Sequence, residues 1–269
     1  MRPSTVGTGP LHELVGVSDS VELKLAMSEK AGRRALTRLG IDLLDAQPLE
    51  VFYLDTHDLA LDAAGIIVRV RRSQDAKDDS VVKLRPAVPG ELDEEGCRRK
   101  GFKVEFDVTQ ASFVCSASLK ARLADGAITD AVAGRTEVSS MFTPHQREFF
   151  AAHAPGGVTL DDLCMFGPVA VLKRTYTTAG LGHPLTVESW TFPAAPGLLE
   201  LSTRIPAGEA PEAMAQWREF LTRHHVPSSD YGWTKTQTAL AILSGQAHRC
   251  DAPDPEPADG AAVSRVRSE

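Results

Sequence analysis

Arg69, Arg71, Lys83 and Arg85 stand at alternate positions in two runs, I-I-V-R-V-R-R and S-V-V-K-L-R-P, with no acid inside either run. Residues two apart on a strand share a face. Ile67, Arg69 and Arg71 therefore point one way, and Ile66, Val68 and Val70 the other. Val81, Lys83 and Arg85 likewise oppose Val82 and Leu84. One face of this strand pair is apolar and meets a core; the other carries an evenly spaced row of cations. Like charges facing each other across a ladder repel, so such a row needs an anion.

The rest of the chain sharpens that requirement. It has 269 residues, 42 % of them apolar, with a formal net charge of −7. An acidic chain of this kind is not a general nucleic-acid or acidic-membrane binder, which would spread basic charge over its outside. The cations of 69–85 are a local concentration. No apolar run is long enough to span a bilayer, and the first ten residues carry no apolar export segment, so a cytoplasmic location is expected. Cys97, Cys115, Cys164 and Cys250 are scattered, without a C-x-x-C pair. Idle thiols are expected, not a disulfide framework or a zinc site.

The elements that must position the basic row follow in order. After a loose leader over 1–15, Val17–Leu25 alternates, with Ser20, Glu22 and Lys24 opposite Val21, Leu23 and Leu25. Ser28 is an N-cap candidate for a helix running to Leu44, with Pro48 closing that region. Leu49–Asp55 reads as a strand, and Asp55-Thr56-His57-Asp58 as a turn whose side chains bond the local backbone. Gly65 releases the chain into the basic strand. Phe102–Val108 alternates again, with Lys103, Glu105 and Asp107 on one face. The Ala/Leu-rich segment 112–167 reads as a helical insertion or lid. Val169–Thr177, Leu185–Thr191 and Leu198–Ile205 return to strand. Helices are expected over Glu209–His225 and within Tyr231–Leu243, and a disordered tail over 246–269. Trp190, Trp217 and Trp233 are expected in the core.

Polar faces carrying Glu22 and Lys24, Arg69 and Arg71, Lys83 and Arg85, Glu105, Arg174, Glu188 and Glu200 recur on at least six strands. Such faces are either all solvated or they line the wet interior of a closed sheet, and a barrel of about eight strands can hold a small ligand. Two cations ~6 Å apart repel by ~3 kcal/mol at an effective dielectric of ~20. Several in one lumen need interleaved carboxylates or a polyanion. Both signs are present, which suits a metal–polyphosphate complex: Arg and Lys for phosphate oxygens, Glu for Mg²⁺ or Mn²⁺.

S-V-E-L-K, Y-L-D-T-H-D-L-A-L-D-A-A-G-I-I-V-R-V-R-R, V-V-K-L-R, K-V-E-F-D, L-K-R-T-Y, V-E-S-W and L-L-E-L-S occur in that order. Over residues 17–240 this series resembles the CYTH superfamily, the triphosphate tunnel metalloenzymes. The resemblance implies an α+β fold with an eight-stranded antiparallel barrel tunnel over 16–245, a divalent metal and a triphosphate-containing substrate. Its members include inorganic triphosphatases, thiamine-triphosphatases, RNA triphosphatases and class IV adenylate cyclases. Carried over by position, it implies Lys24, Arg69, Arg71, Lys83 and Arg174 as phosphate-binding, with Lys235 as a softer match in W-T-K-T; Arg85 joins them from its face. It implies Glu22, Glu200 and Glu188 at the metal, and Glu105 or Glu188 is the choice for positioning an attacking water. Two departures stand out. Ser20 and Ser202 occupy positions where the family pattern has Glu, and a hydroxyl is a poor ligand for a divalent ion. Three activities stay open on these residues: triphosphate hydrolysis, cyclisation of ATP, and binding without turnover. Homodimerisation is also left open.

Overall fold

The computed structural model describes residues 18–246 apart from 75, 111, 228 and 230–232. The leader over 1–15, and all but Gln246 of the tail over 246–269, lie outside the described residues. The alternating segments form strands β1 (Ser20–Ser28), β2 (Gln47–Asp55), β3 (Ile66–Ser73), β4 (Asp79–Leu84) and β5 (Phe102–Val108). They continue as β6 (Phe113–Arg122), β7 (Cys164–Tyr176), β8 (Leu185–Phe192) and β9 (Ala195–Pro206). The strands close into a barrel in the order β1-β5-β6-β4-β3-β2-β7-β8-β9. The β1–β5 pair is parallel and the others are antiparallel. Around them lie α1 (Glu29–Leu39), α2 (Ala60–Ala63), α3 (Glu94–Cys97), α4 (Ala127–Val132), α5 (Pro144–Ala151), α6 (Ala210–Arg223) and α7 (Lys235–Leu243).

Two expectations are corrected here. The described residues form a mixed barrel of nine strands, not an antiparallel one of eight. Part of the supposed helical insertion is strand β6. Its outer face, Cys115, Ala117 and Leu119, is buried, but Ser and Ala at alternate sites give a weak apolar alternation, and β propensity depends strongly on context. The insertion proper is therefore 123–163. It is pinned to the outer wall: Gln146 of α5 is fully buried, donates to the carbonyls of Ser80 and Leu119, each at 3.1 Å, and accepts from the Ser80 hydroxyl.

The main apolar core lies outside the barrel, between its strands and the helices. Val21, Leu23 and Leu25 of β1, Val68 and Val70 of β3, and Val82 of β4 pack there with Trp217 and Phe220 of α6. Ser28 caps α1 as expected, accepting from the Ala31 amide. The helix ends at Gly40 (φ 64°), well before Pro48, because glycine takes the left-handed cap without steric cost. Gly32 lets α1 close onto β9: a Cβ there would sit 2.4 Å from the Leu199 Cβ. Asp55 accepts from the amides of Thr56, Leu61 and Asp62 at 2.7–2.9 Å, so the D-T-H-D turn is structural. Trp190 and Trp217 are buried, but Trp233 is 59 % exposed, against expectation. Cys115 is a free thiol, whereas Cys164 is disulfide-bonded, which overturns the reading of idle thiols for that residue.

A second apolar cluster fills one end of the lumen. Val51, Tyr53, Phe166, Val169, Val171, Trp190 and Leu198 pack there against Ala239, Leu240 and Leu243 of α7. The helix carries a capping box, Thr234 with Gln237, at its start. Its first residue, Lys235, is thereby aimed at the polar part of the channel.

Candidate functional site

Registry decides what faces inward. Arg69 pairs with Tyr53 and Val81, Arg71 with Val51 and Asp79, and Lys83 with Ile67 and Ser118. On the far side Glu22 pairs with Arg204 and Asp107, Lys24 with Ser202, Ala26 with Glu200, and Glu200 with Glu188. Cross-strand partners share a face, so these residues lie on one continuous inner surface. It has two walls. β3, β4 and β6 present Arg69, Arg71, Lys83, Arg85 and Lys120. β5, β1, β9 and β8, adjacent in the barrel, present Glu105, Asp107, Glu22, Glu200 and Glu188.

Asp107 is the pivot between the walls. It is 0 % exposed and lies 2.7 Å from Lys24, 3.3 Å from Lys83 and 3.5 Å from Arg85. Burial opposes its ionisation, yet those three cations hold the carboxyl far below the usual range. Lys24 also meets Glu22 at 3.0 Å. Burial works against the Lys24 ammonium as well, but Asp107, Glu22 and Glu200 raise its pKa and keep it charged. Glu22 is held down to about 2: burial pushes it up, and Lys24, Arg204 and Lys235 more than offset that. Lys83 behaves oppositely. Burial lowers its pKa, Lys24 and Arg85 lower it further, and Asp107 compensates only in part. An incoming anion would relieve that repulsion.

Further along the basic wall, Asp79 holds Arg71 at 2.5 Å and Lys120 at 3.0 Å. Arg69 stands between the Asp107 and Asp79 clusters. Its guanidinium makes no hydrogen bond or ion pair among the described residues, and its Nε is buried without a partner. Buried donors are rarely left so. On the acidic wall, Lys235 reaches Glu188 at 2.6 Å and Glu200 at 2.8 Å, over the Trp190 ring. Glu188 also takes Lys173 at 2.8 Å and the Trp190 indole N–H at 3.3 Å. Burial would raise Glu188, but Lys235 and Lys173 hold it well below its ordinary value. Arg204 reaches Glu105 at 3.1 Å and Glu22 at 3.5 Å. Lys120 and Arg204, each 49 % exposed, mark the part of the channel open to solvent.

Of the residues singled out in the sequence, Glu22, Lys24, Arg69, Arg71, Lys83, Arg85, Glu105, Glu188, Glu200 and Lys235 share this surface. Arg174 does not. It pairs with Val187 on the outer face, meets Asp45 at 3.0 Å and stacks on Tyr176. Its neighbour Lys173 faces inward instead. The usual rule misleads here because the apolar Val169 and Val171 are luminal, under α7, while Leu172 is 40 % exposed outside. Asp79, Lys120, Lys173 and Arg204 were missed. Asp79 and Arg204 were readable by parity, two positions before Val81 and two after Ser202.

The metal expectation meets a poor donor set. Glu188 and Glu200 are committed to Lys235, and Glu22 to Lys24 and Arg204. Among the described residues no three ligating side chains come together. Ser20 donates to Glu105 and Ser202 is buried beside Lys24. Cavities of about 280 and 170 Å³ on the outside of the barrel are lined by no Lys or Arg and offer nothing to an anion. Among the described residues no helix is long and apolar enough to cross a membrane.

No family model matches the chain, and no curated protein matches it. Solved structures do share its fold. A candidate adenylate cyclase from Bacillus halodurans superposes with a TM-score of 0.58 at 13 % identity, covering 82 % of this chain and 97 % of that one. A candidate adenylyl cyclase from Hippeastrum, HpAC1, described as having a dominant triphosphatase activity, gives a TM-score of 0.58 at 16 % identity over 82 % and 94 %. The chain thus shares the fold of these solved structures, with the closed barrel that was expected but nine strands of mixed direction in place of eight antiparallel ones.

Proposed function

We propose that the tunnel binds the polyphosphate chain of a triphosphate-containing small molecule and hydrolyses its terminal anhydride. The carrying observation is the Arg69 guanidinium, which has no partner among the described residues and is set between two ion-pair clusters on a wall of cations. Arg69, Arg71, Lys83 and Arg85 would neutralise and align the chain, with Lys24 reaching it from the opposite wall. Phosphoryl transfer needs chiefly positioning and charge stabilisation. A water attacks the terminal phosphorus in line, the P–O bond to the bridging oxygen breaks, and the basic wall takes up the charge developing on the leaving phosphate. Glu105 is the better choice to orient that water. One of its oxygens, Oε1, is engaged by Ser20 and Arg204. Both oxygens of Glu188 are engaged, by Lys173, Lys235 and Trp190.

The shared fold supports this choice, since HpAC1 is described as chiefly a triphosphatase. A second reading, binding without turnover, is favoured by the pairing of the acidic wall with internal cations. The deciding assay measures phosphate and cyclic AMP released from tripolyphosphate and from ATP, with chelator and with Mg²⁺ or Mn²⁺. Phosphate release supports hydrolysis; cyclic AMP points to cyclisation. Tight binding with neither product leaves a receptor, and no binding at all refutes the proposal.

A further inference from the structure

The acidic wall already contains cations of its own. Glu188 and Glu200 are directly opposed in the β8–β9 register, where like charges destabilise each other. Lys235 lies between them at 2.6 and 2.8 Å. Glu22 and Glu105 stand on neighbouring strands, and Arg204 bridges them at 3.5 and 3.1 Å. Each pair of carboxylates therefore holds one side-chain cation where a hard divalent ion would need oxygen ligands.

We propose that Lys235 and Arg204 are resident substitutes for divalent cations, so that this tunnel engages polyphosphate without a metal. The geometry makes displacement costly. Lys235 is anchored by a capped helix whose apolar side is packed into the lumen, and it lies 5.2 Å from the centre of the Trp190 ring. A metal entering between Glu188 and Glu200 would leave a buried ammonium unpaired, a penalty that ordinarily exceeds the worth of a surface ion pair. The serines strengthen the point. Ser20 and Ser202 supply hydroxyls on the luminal face, not further carboxylates, and no three-ligand group forms among the described residues. The ammonium nevertheless supplies only one charge, so the basic wall opposite must carry most of the neutralisation. Its Arg69, without a partner among the described residues, is placed to do so.

This inference rests on the polyphosphate reading above, but its test separates the two. Calorimetric titration of the full chain with tripolyphosphate, in chelator and in excess Mg²⁺, should give affinities within about twofold of each other. A loss of about tenfold or more in chelator overturns the inference while leaving the polyphosphate reading intact. Titration with Mn²⁺ alone, followed by its electron spin resonance, needs no phosphate ligand. The wild-type chain should show no ordered Mn²⁺ site, and Lys235→Gln should gain one by freeing Glu200 and removing the ammonium from Glu188 Oε2, while Lys173 stays on Oε1. Tight Mn²⁺ binding by the wild type overturns the proposal even if tripolyphosphate fails to bind. Should Lys235→Gln not fold, the two wild-type titrations decide alone.

Discussion

Replacing Arg69 by Met separates a ligand-binding cation from a structural one. Among the described residues the Arg69 guanidinium has no hydrogen-bond or ion-pair partner, and its Nε is buried. An unsatisfied buried donor costs about 1–3 kcal/mol, and Met keeps much of the side-chain volume. The free protein should lose no stability, and a gain of about 1 kcal/mol would raise the Tm by roughly 2–4 °C for a domain of this size. Affinity should move the other way. A hydrogen bond to a charged group contributes about 1.5–3 kcal/mol, and about 1.4 kcal/mol is tenfold. Tripolyphosphate binding should therefore weaken by roughly 10- to 100-fold. Arg71→Met is the control. Asp79 is 4 % exposed and would keep only Lys120, so this variant should lose both affinity and about 1–3 kcal/mol of stability. Calorimetry and thermal melts on the three proteins give both readouts. If Arg69→Met lowers the Tm by several degrees and leaves affinity unchanged, Arg69 is a fold residue and the anion reading loses its main support.

Asp107→Asn should leave Lys24, Lys83 and Arg85 without their shared counter-charge, at a cost of about 3–5 kcal/mol. The rise in Tm on adding tripolyphosphate should then be larger in the variant than in the wild type; an equal rise would show that the ligand does not reach these cations. Glu22 is held at about 2, below its ordinary 4.5, so its contribution is present above pH ~4.5 and lost as pH falls toward 2. That contribution is on the order of 3 kcal/mol, and denaturation curves of wild type and Glu22→Gln should converge across this window. Arg174→Ala, on the outer face, should leave tripolyphosphate affinity unchanged within about twofold; a larger loss would contradict the assigned strand parity.

Most of the site was readable because the barrel turns a period-2 pattern directly into an inner and an outer face. Arg69, Arg71, Lys83 and Arg85 needed only the alternation of 66–71 and 81–85, and the acidic positions that of 20–24, 103–107, 185–191 and 198–202. Reading failed where the lumen stops being polar. At β7 the inward residues Val169 and Val171 meet an apolar helix, so hydrophobicity no longer distinguishes the faces, and Arg174 was taken for Lys173. A register shift between Val51 and Tyr53 on the β2–β7 pair changes the parity again. β6 was hidden for another reason: Ser116, Ala117 and Ser118 carry too little contrast to declare a strand. The pairing of Lys235 with Glu188 and Glu200 joins residues 47 and 35 positions apart, which no local pattern can report.

The two walls are asymmetric in a way that favours exchange of partners over simple addition of a ligand. Asp107 already neutralises part of the charge of Lys24, Lys83 and Arg85, and in doing so it keeps these three cations oriented. Burial depresses the Lys83 pKa, Lys24 and Arg85 add to it, and the one carboxylate charge that three cations share offsets this only in part. A phosphate chain entering beside Asp107 meets cations that are charged, fixed and under-compensated, so little reorganisation is required. A fully paired wall would have to break ion pairs before it could bind. An entirely unpaired wall would strain the barrel by several kcal/mol of repulsion. Partial compensation by two buried acids, Asp107 and Asp79, lies between these limits, and under the proposed polyphosphate reading it would place the free energy of binding in Arg69 and Lys83, not in the residues that hold the barrel together.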